Sequence, residues 1–494
     1  MKPFRTSWAD WRLPLLFMLG MSCFGLSFYP ALVLVAIAVL KSWRSNRYDF
    51  LIMCSIFFGE YGLIGKYQTV IQTSDIAIVV CLILWFIYRK PPLLRKMLTV
   101  IVIYIAALLV FAMLSIESMN IQFLSMRPYL GIIYLIFPLA VFSGKDFEIG
   151  ELFKKLIVYT LIFSVFYILD AFIFSGNILL PNTTTWRDYT STFYNPIWAP
   201  FSGIRFRKYP PGLFILIASL YPIARYYKLR WWQLGLILIA LFATQTFTVL
   251  SGVLIAYLCL KVKASQIVKM FILAILTGVS LYYVDGMLPM KKEELGMEST
   301  LRIKSSIDQI IELRKMVDDE DLAKFASGRM AQVIPKFDLV AREGRQAIGL
   351  GFLHPEKTKL NRYIIVNEYY TDISKDIEVA TGVEVVPAQI YVTIGYIGLI
   401  IHILIFLALY LLVRKLKYAV VVLPAFFLNF WFGLGGFAGL VSWHGLIWQM
   451  IAFAAVLLAN RSEVWGKERK NSSLGGFELA FAESQKKEAE NTST

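Results

Sequence analysis

Apolar residues gather into runs of 14 to 32 positions, separated by short basic or turn-forming stretches. Twelve such runs occur, at 13–40, 49–65, 75–88, 97–116, 127–143, 153–174, 210–227, 231–262, 267–284, 387–413, 419–437 and 440–460. A helix needs about 20 apolar residues to cross the hydrocarbon core of a bilayer. The pattern therefore predicts an all-α polytopic membrane protein. Two runs, 13–40 and 231–262, exceed a single crossing and have a polar or turn-prone centre. The first centre is Ser27-Phe28-Tyr29-Pro30; the second holds Thr244-Gln245-Thr246 and Ser251-Gly252. Reading each as a hairpin of two short helices raises the count to about fourteen. Twelve spans with re-entrant segments is the alternative.

The interruption at 285–386 is of another order, a polar island of roughly a hundred residues without a spanning run. Ile303, Ile307, Ile310, Ile311 and Val317 recur there at helical spacing among charges, which predicts an amphipathic helix. Ser327 is a plausible N-cap for a second helix, which has Pro335 near its middle and ends before Gly349-Leu350-Gly351. The organisation is thus a helical membrane region at 1–284 with a smaller loop at 175–209, then the large partly helical loop at 285–386. Membrane helices follow at 387–460, and a polar tail at 461–494 is predicted to be disordered.

Charge decides which way these loops face. The chain carries a formal net charge of +15, yet the large loop is nearly balanced, with 15 Lys/Arg against 18 Asp/Glu. The excess sits in short connectors: Lys41, Arg44 and Arg47; Arg89, Lys90, Arg95 and Lys96; Arg225, Lys228 and Arg230; Lys261 and Lys263; Arg414, Lys415 and Lys417. Basic residues in short loops mark the cytoplasmic side. With both long runs taken as hairpins, every basic connector and both termini fall there, while 175–209 and 285–386 lie outside. A basic balance spread over connectors, together with 58% hydrophobic residues and a mean hydropathy of +0.63, argues against nucleic-acid binding. The four cysteines, Cys23, Cys54, Cys81 and Cys259, lie within apolar runs without paired spacing. They read as small core residues, and neither a disulfide framework nor a metal site is expected. MKPFRTSWADWR leads into the first run without a small-residue cleavage site, so a retained first helix is expected.

Three local patterns carry the functional reading. Ser327-Gly328-Arg329-Met330 opens a helix, and Gly349-Leu350-Gly351-Phe352 begins twenty residues after Arg329. Pro387-Ala388-Gln389-Ile390-Tyr391 leads into Gly395-Tyr396-Ile397-Gly398-Leu399 at the head of a span. Phe206-Arg207-Lys208-Tyr209-Pro210-Pro211-Gly212 stands where the smaller loop meets the next run. In this order, with a long loop between late spans, the chain resembles the O-antigen polymerase/ligase family of bacterial envelope assembly. The hairpin at 231–262 is also similar, although Thr246-Phe247-Thr248 stands where that family usually has Ser-Arg.

The resemblance implies a metal-independent and cofactor-free membrane glycosyltransferase in the bacterial cytoplasmic membrane. It would move a glycan from a polyprenyl-pyrophosphate carrier to a hydroxyl of an acceptor glycan on the outer face. Flippase and chain-length regulator proteins are the implied candidate partners. A pyrophosphate leaving group favours bidentate guanidinium contacts, which points to Arg329, Arg207 and Arg205. The same arginines also suit interfacial cations beside lipid headgroups. Where the family usually has a His-Asn pair, eleven residues before the glycine matched to Gly395, this chain has Glu384-Val385. Glu384 is therefore the leading candidate base, with His354 and His444 as alternatives; His402, inside a span, reads as a packed interhelical polar group. Glu60, Asp170 and Arg127 near span ends read as an ion pair or cavity lining. Competing readings are a ligase that passes finished glycan to a lipid or protein, a lipid-linked oligosaccharide transporter, and a protein that keeps the fold without catalysis.

Overall fold

The structure is a computed structural model. It describes residues 2–23, 28–58, 62–64, 71–87, 92–115, 119, 122, 126–143, 145–172, 226–243, 337, 339–352, 365–366, 376–377, 386–419, 422 and 443–465. The described residues are mostly helical. Three helices are long and apolar enough to cross a membrane: Pro92–Met113, Ile149–Leu169 and Gln389–Val413. Shorter apolar helices cover Asp75–Ile87, Tyr129–Val141 and Trp231–Leu241.

In chain order, strand β1 (Lys2–Pro3) precedes α1 (Trp8–Cys23), α2 (Phe28–Ser45) and α3 (Arg47–Phe57). The run 13–40 is thus two helices packed side by side. The second begins at Phe28, so Pro30 falls in its first turn, where the missing N–H has no helical partner to lose. The side chain of Asn46 accepts from the amides of Tyr48 and Asp49 at 2.9 and 3.2 Å and caps α3. The run 49–65 delivers only the eleven residues of α3 as helix, followed by an antiparallel pair, β2 (Gly62–Ile64) with β3 (Ile71–Gln72).

Next come α4 (Thr73–Ile87) and α5 (Pro92–Met113). The run 127–143 departs from a single α-helix: Arg127–Leu135 is a 3-10 helix and α6 is Ile136–Val141. Its prolines fit this division. Pro128 and Pro138 each sit within the first three residues of their segment, where no helical hydrogen bond is required of the amide. This segment is the centre of the core, with Ile132, Tyr134, Leu135 and Leu139 fully buried. Helix α7 (Ile149–Phe172), strand β4 (Tyr227–Lys228) and α8 (Trp231–Ala243) follow. The large loop contributes β5 (Ile365–Val366) paired with β6 (Asp376–Ile377), a strand element that its helical patterning did not predict. The chain continues through α9 (Val386–Val413), α10 (Trp443–Ala459) and the short α11 (Arg461–Trp465). Among the packed pairs are α5 with α9, α7 with α8, and α10 with the 3-10 helix.

One end of the assembly is tied by charge. Lys155 Nζ lies 2.9 Å from Asp49 and 3.5 Å from Asp10, and Lys154 Nζ lies 3.0 Å from Asp10. The Lys155 and Asp49 side chains are 3% and 1% exposed, so α1, α3 and α7 share a buried ionic cluster. Burial alone would raise the Asp10 carboxyl. The Ser7 amide and the ammonium groups of Lys154 and Lys155 outweigh it and hold that carboxyl below the ordinary carboxylate range.

Candidate functional site

Parts of two of the three sequence patterns, Gly349–Phe352 and the stretch around Gly395, meet in space. Residues 339–342 end a helix that closes at Gly344, whose φ of +63° places it in the left-handed region. The Gly344 amide donates to Ala341 O at 3.0 Å and the Arg345 amide to Val340 O at 2.9 Å, the double bond pattern of a glycine-terminated helix. The chain then runs from Gln346 to Phe352 across the beginning of α9.

Helix α9 is broken there. Gly395 has φ 69° and ψ −175°, a conformation open in practice to glycine alone. A break frees two amides and two carbonyls, which must find partners if they are buried. The Leu350 amide donates to Val392 O at 2.8 Å and the Gly351 amide to Thr393 O at 2.9 Å. In return Tyr396 donates to Gln346 O at 3.0 Å and Ile397 to Ala347 O at 3.2 Å. Segment 346–351 thus fills the gap in the helix with four hydrogen bonds.

Glycine is needed at this contact for a second reason, close approach. A Cβ on Gly395 would strike the backbone of Ala347, and one on Gly349, which also has positive φ at +72°, would strike the Thr393–Ile394 peptide. Gly351, at φ +100°, lies against Ser115. The same segment reaches the end of α5. Arg345 donates to Leu114 O at 2.6 Å, and Ser115 Oγ donates to Leu350 O at 2.9 Å. Gln122 Nε2 donates to Ala112 O at 2.7 Å. Phe352 packs edge-on against Tyr129 at 5.1 Å, and both are buried.

Of the residues predicted to act, Glu384, His354, Arg329, Arg207 and Arg205 lie outside the described residues, as does Glu60. The backbone of His444 is the second residue of α10; Arg127 opens the 3-10 helix and Asp170 lies near the end of α7. The residue that the structure places in full is His402. Its Nδ1 is 2.6 Å from Tyr104 Oη on the neighbouring α5, and both side chains are buried. This is the interhelical polar contact expected of it. The charge cluster of Asp10, Asp49, Lys154 and Lys155 went unnoticed in the sequence. Its available signal was a set of ionisable residues at the edges of apolar runs. Among the described residues no group of His, Cys, Asp and Glu could hold a metal ion.

Chemically, the junction is closed. The four backbone groups released at Gly395 are used by protein, and the carbonyls of Ala112 and Leu114 at the end of α5 are used by Gln122 and Arg345. It can fix direction and distance, and it holds the turns of α9 around Gly395 against the end of α5. No family model matches the chain, and a search of curated proteins finds no match.

Proposed function

We propose that the chain is a polytopic membrane glycosyltransferase that polymerises polyprenyl-pyrophosphate-linked repeat units on the outer face of the bacterial cytoplasmic membrane. The observation that carries this reading is the junction itself. Gly349-Leu350-Gly351-Phe352 and Thr393-Ile394-Gly395 are 40 residues apart, yet they are hydrogen-bonded partners through Val392 O and Thr393 O. A resemblance that rests on motif order gains weight when two of its motifs join as one unit. The closed backbone also favours a transferase over a transporter, because transporters typically leave the unwound backbone of broken helices to coordinate ions.

In this reaction the acceptor hydroxyl oxygen attacks the anomeric carbon of the carrier-linked glycan. The bond from that carbon to the pyrophosphate oxygen breaks, and polyprenyl pyrophosphate departs with the electron pair. Arg329, Arg207 and Arg205 bind the leaving group with guanidinium contacts that match its oxygens. Glu384 takes the hydroxyl proton, with His354 and His444 as the alternative bases. Both termini are cytoplasmic and 285–386 faces outside, where the substrate glycan is displayed. The test is polymer formation from purified lipid-linked repeat units with a chelator present. Arg329→Ala is expected to lose most activity and Arg329→Lys to recover little. Glu384→Gln should slow transfer about 10²–10⁴-fold, the usual effect of removing a general base. Wild-type rates in Arg329→Ala at normal protein level would overturn the assignment.

A further inference from the structure

The N-terminus is pinned to a connector more than two hundred residues away. Strand β1 pairs in parallel with β4, with Lys2 opposite Tyr227 and Pro3 opposite Lys228. The Lys2 amide donates to Tyr226 O at 2.9 Å and the Phe4 amide to Lys228 O at 3.2 Å. Phe4 is buried and meets the Tyr227 ring edge-on at 5.7 Å, which anchors the strand by its side chain as well.

This pairing gathers cations that the sequence keeps apart. Lys2 and Arg5 from the N-terminal segment lie beside Lys228 and Arg230 from the connector, and all four are exposed. Among the described residues none of the four is paired with a carboxylate; of the acids nearby in the fold, Asp10 and Glu151 are engaged by Lys154 and Lys155, and Glu148 stands exposed close to Tyr227. Large aromatic residues border the cations. Trp8 is 70% exposed, Trp231 86% and Trp232 44%, whereas Trp11 turns its ring N–H inward to Thr6 Oγ1 at 2.9 Å. Indole rings exposed to this degree are costly in water and favourable at the headgroup level of a bilayer.

We infer that this composite patch binds the phosphate headgroups of anionic phospholipids, with Trp8, Trp231 and Trp232 seated in the boundary between headgroups and acyl chains. The inference rests on the membrane placement proposed above and is independent of the transfer chemistry. Cations held on paired strands present a fixed array that can hold one lipid headgroup between them, and each cation of that array strengthens the hold by about fivefold. A single connector, such as 414–417, offers charge without that second strand.

The experiment uses the purified full-length protein in detergent. Phosphatidylglycerol or phosphatidylcholine is titrated in, and retained lipids are counted by native mass spectrometry. Wild type is expected to prefer phosphatidylglycerol. Lys228→Gln/Arg230→Gln should lower that preference by roughly 25-fold, at about fivefold per cation. The charge-matched variant Arg414→Gln/Lys415→Gln, at exposed positions of another basic connector, should keep it. Both variants remain active if the two proposals are separate, so a lipid failure is distinguishable from a failure of the transferase reading. Absence of any preference in wild type, or equal loss in both variants, overturns the patch. Displacement of the lipid by millimolar inorganic phosphate overturns it too, since it would mark a free-anion site.

Discussion

Replacing Gly395 by alanine tests whether the break in α9 holds this region together. Three penalties apply. The backbone at φ 69°, ψ −175° costs a side-chain-bearing residue about 1–3 kcal/mol. The new methyl group collides with the Ala347 peptide, which lies in backbone and has no flexible end to swing away. If segment 346–351 is pushed off, four hydrogen bonds at about 1 kcal/mol each are at stake. A loss of ~4 kcal/mol is the expected scale. Gly344→Ala is the internal control, because its φ of +63° carries only the left-handed penalty of about 1–2 kcal/mol, with nothing within 4 Å of the added carbon. Gly235→Ala, in the interior of α8 and equally open, should gain about 0.5–1 kcal/mol. The assay is thermal unfolding of detergent-solubilised protein followed with a thiol-reactive fluorogenic dye, since Cys54 and Cys81 are buried and free and become reactive on unfolding. The midpoint should fall in the order Gly235→Ala, Gly344→Ala, Gly395→Ala, with the last several degrees below the second. A Gly395→Ala protein as stable as Gly344→Ala would refute the argument that the loop and the broken helix brace each other.

Three further outcomes are expected. Asp49→Asn leaves the buried Lys155 ammonium with Asp10 alone at 3.5 Å and should cost about 3 kcal/mol, while the apolar double change Asp49→Leu/Lys155→Met should cost less; a double variant less stable than the single would contradict this, read as a melting midpoint. The Asp10 carboxyl is depressed in the folded protein, so its contribution to stability is present above the unfolded value of about 3.9 and lost as pH falls through the folded one. Asp10→Asn should therefore be less stable than wild type at pH 7, with the two tryptophan-fluorescence melting curves drawing together as the pH falls below the unfolded value. Reporter fusions after Lys96 and within 285–386 should report opposite sides of the membrane; the same side for both would remove the topology and the outer-face reaction with it.

Hydrophobic patterning located most of the described helices because apolar length alone sets where a long helix can run. The runs at 97–116, 153–174 and 387–413 correspond to α5, α7 and α9 within a few residues. The division of 13–40 was visible in Ser27 and Pro30. The division of 127–143 was not, because the run is continuously apolar and its hydrophobicity does not mark the segment starts at which Pro128 and Pro138 sit. At the junction, sequence marked Gly349, Gly351 and Gly395 but left their contact invisible. Which carbonyl Leu350 reaches depends on a partner 42 positions further on, and no local pattern encodes such a pairing. The charge cluster was hidden for a similar reason: Asp10 and Lys155 become partners only when α1 and α7 lie side by side.

That cluster and the β1–β4 pair have a consequence for biosynthesis. The first helix leaves the ribosome with Asp10 bonded only locally to Ser7, and Lys154 and Lys155 follow only after some 145 further residues have been made. Phe4 waits longer still, until Tyr227 and Lys228 emerge. At about 5–20 residues per second the N-terminal strand spends roughly 10–45 s without its partner. During that interval the first helices lack these long-range contacts and rest on the apolar packing of α1 against α2. The strand pair can close only once residue 228 has been made, which makes it a late contact for the first half of the chain.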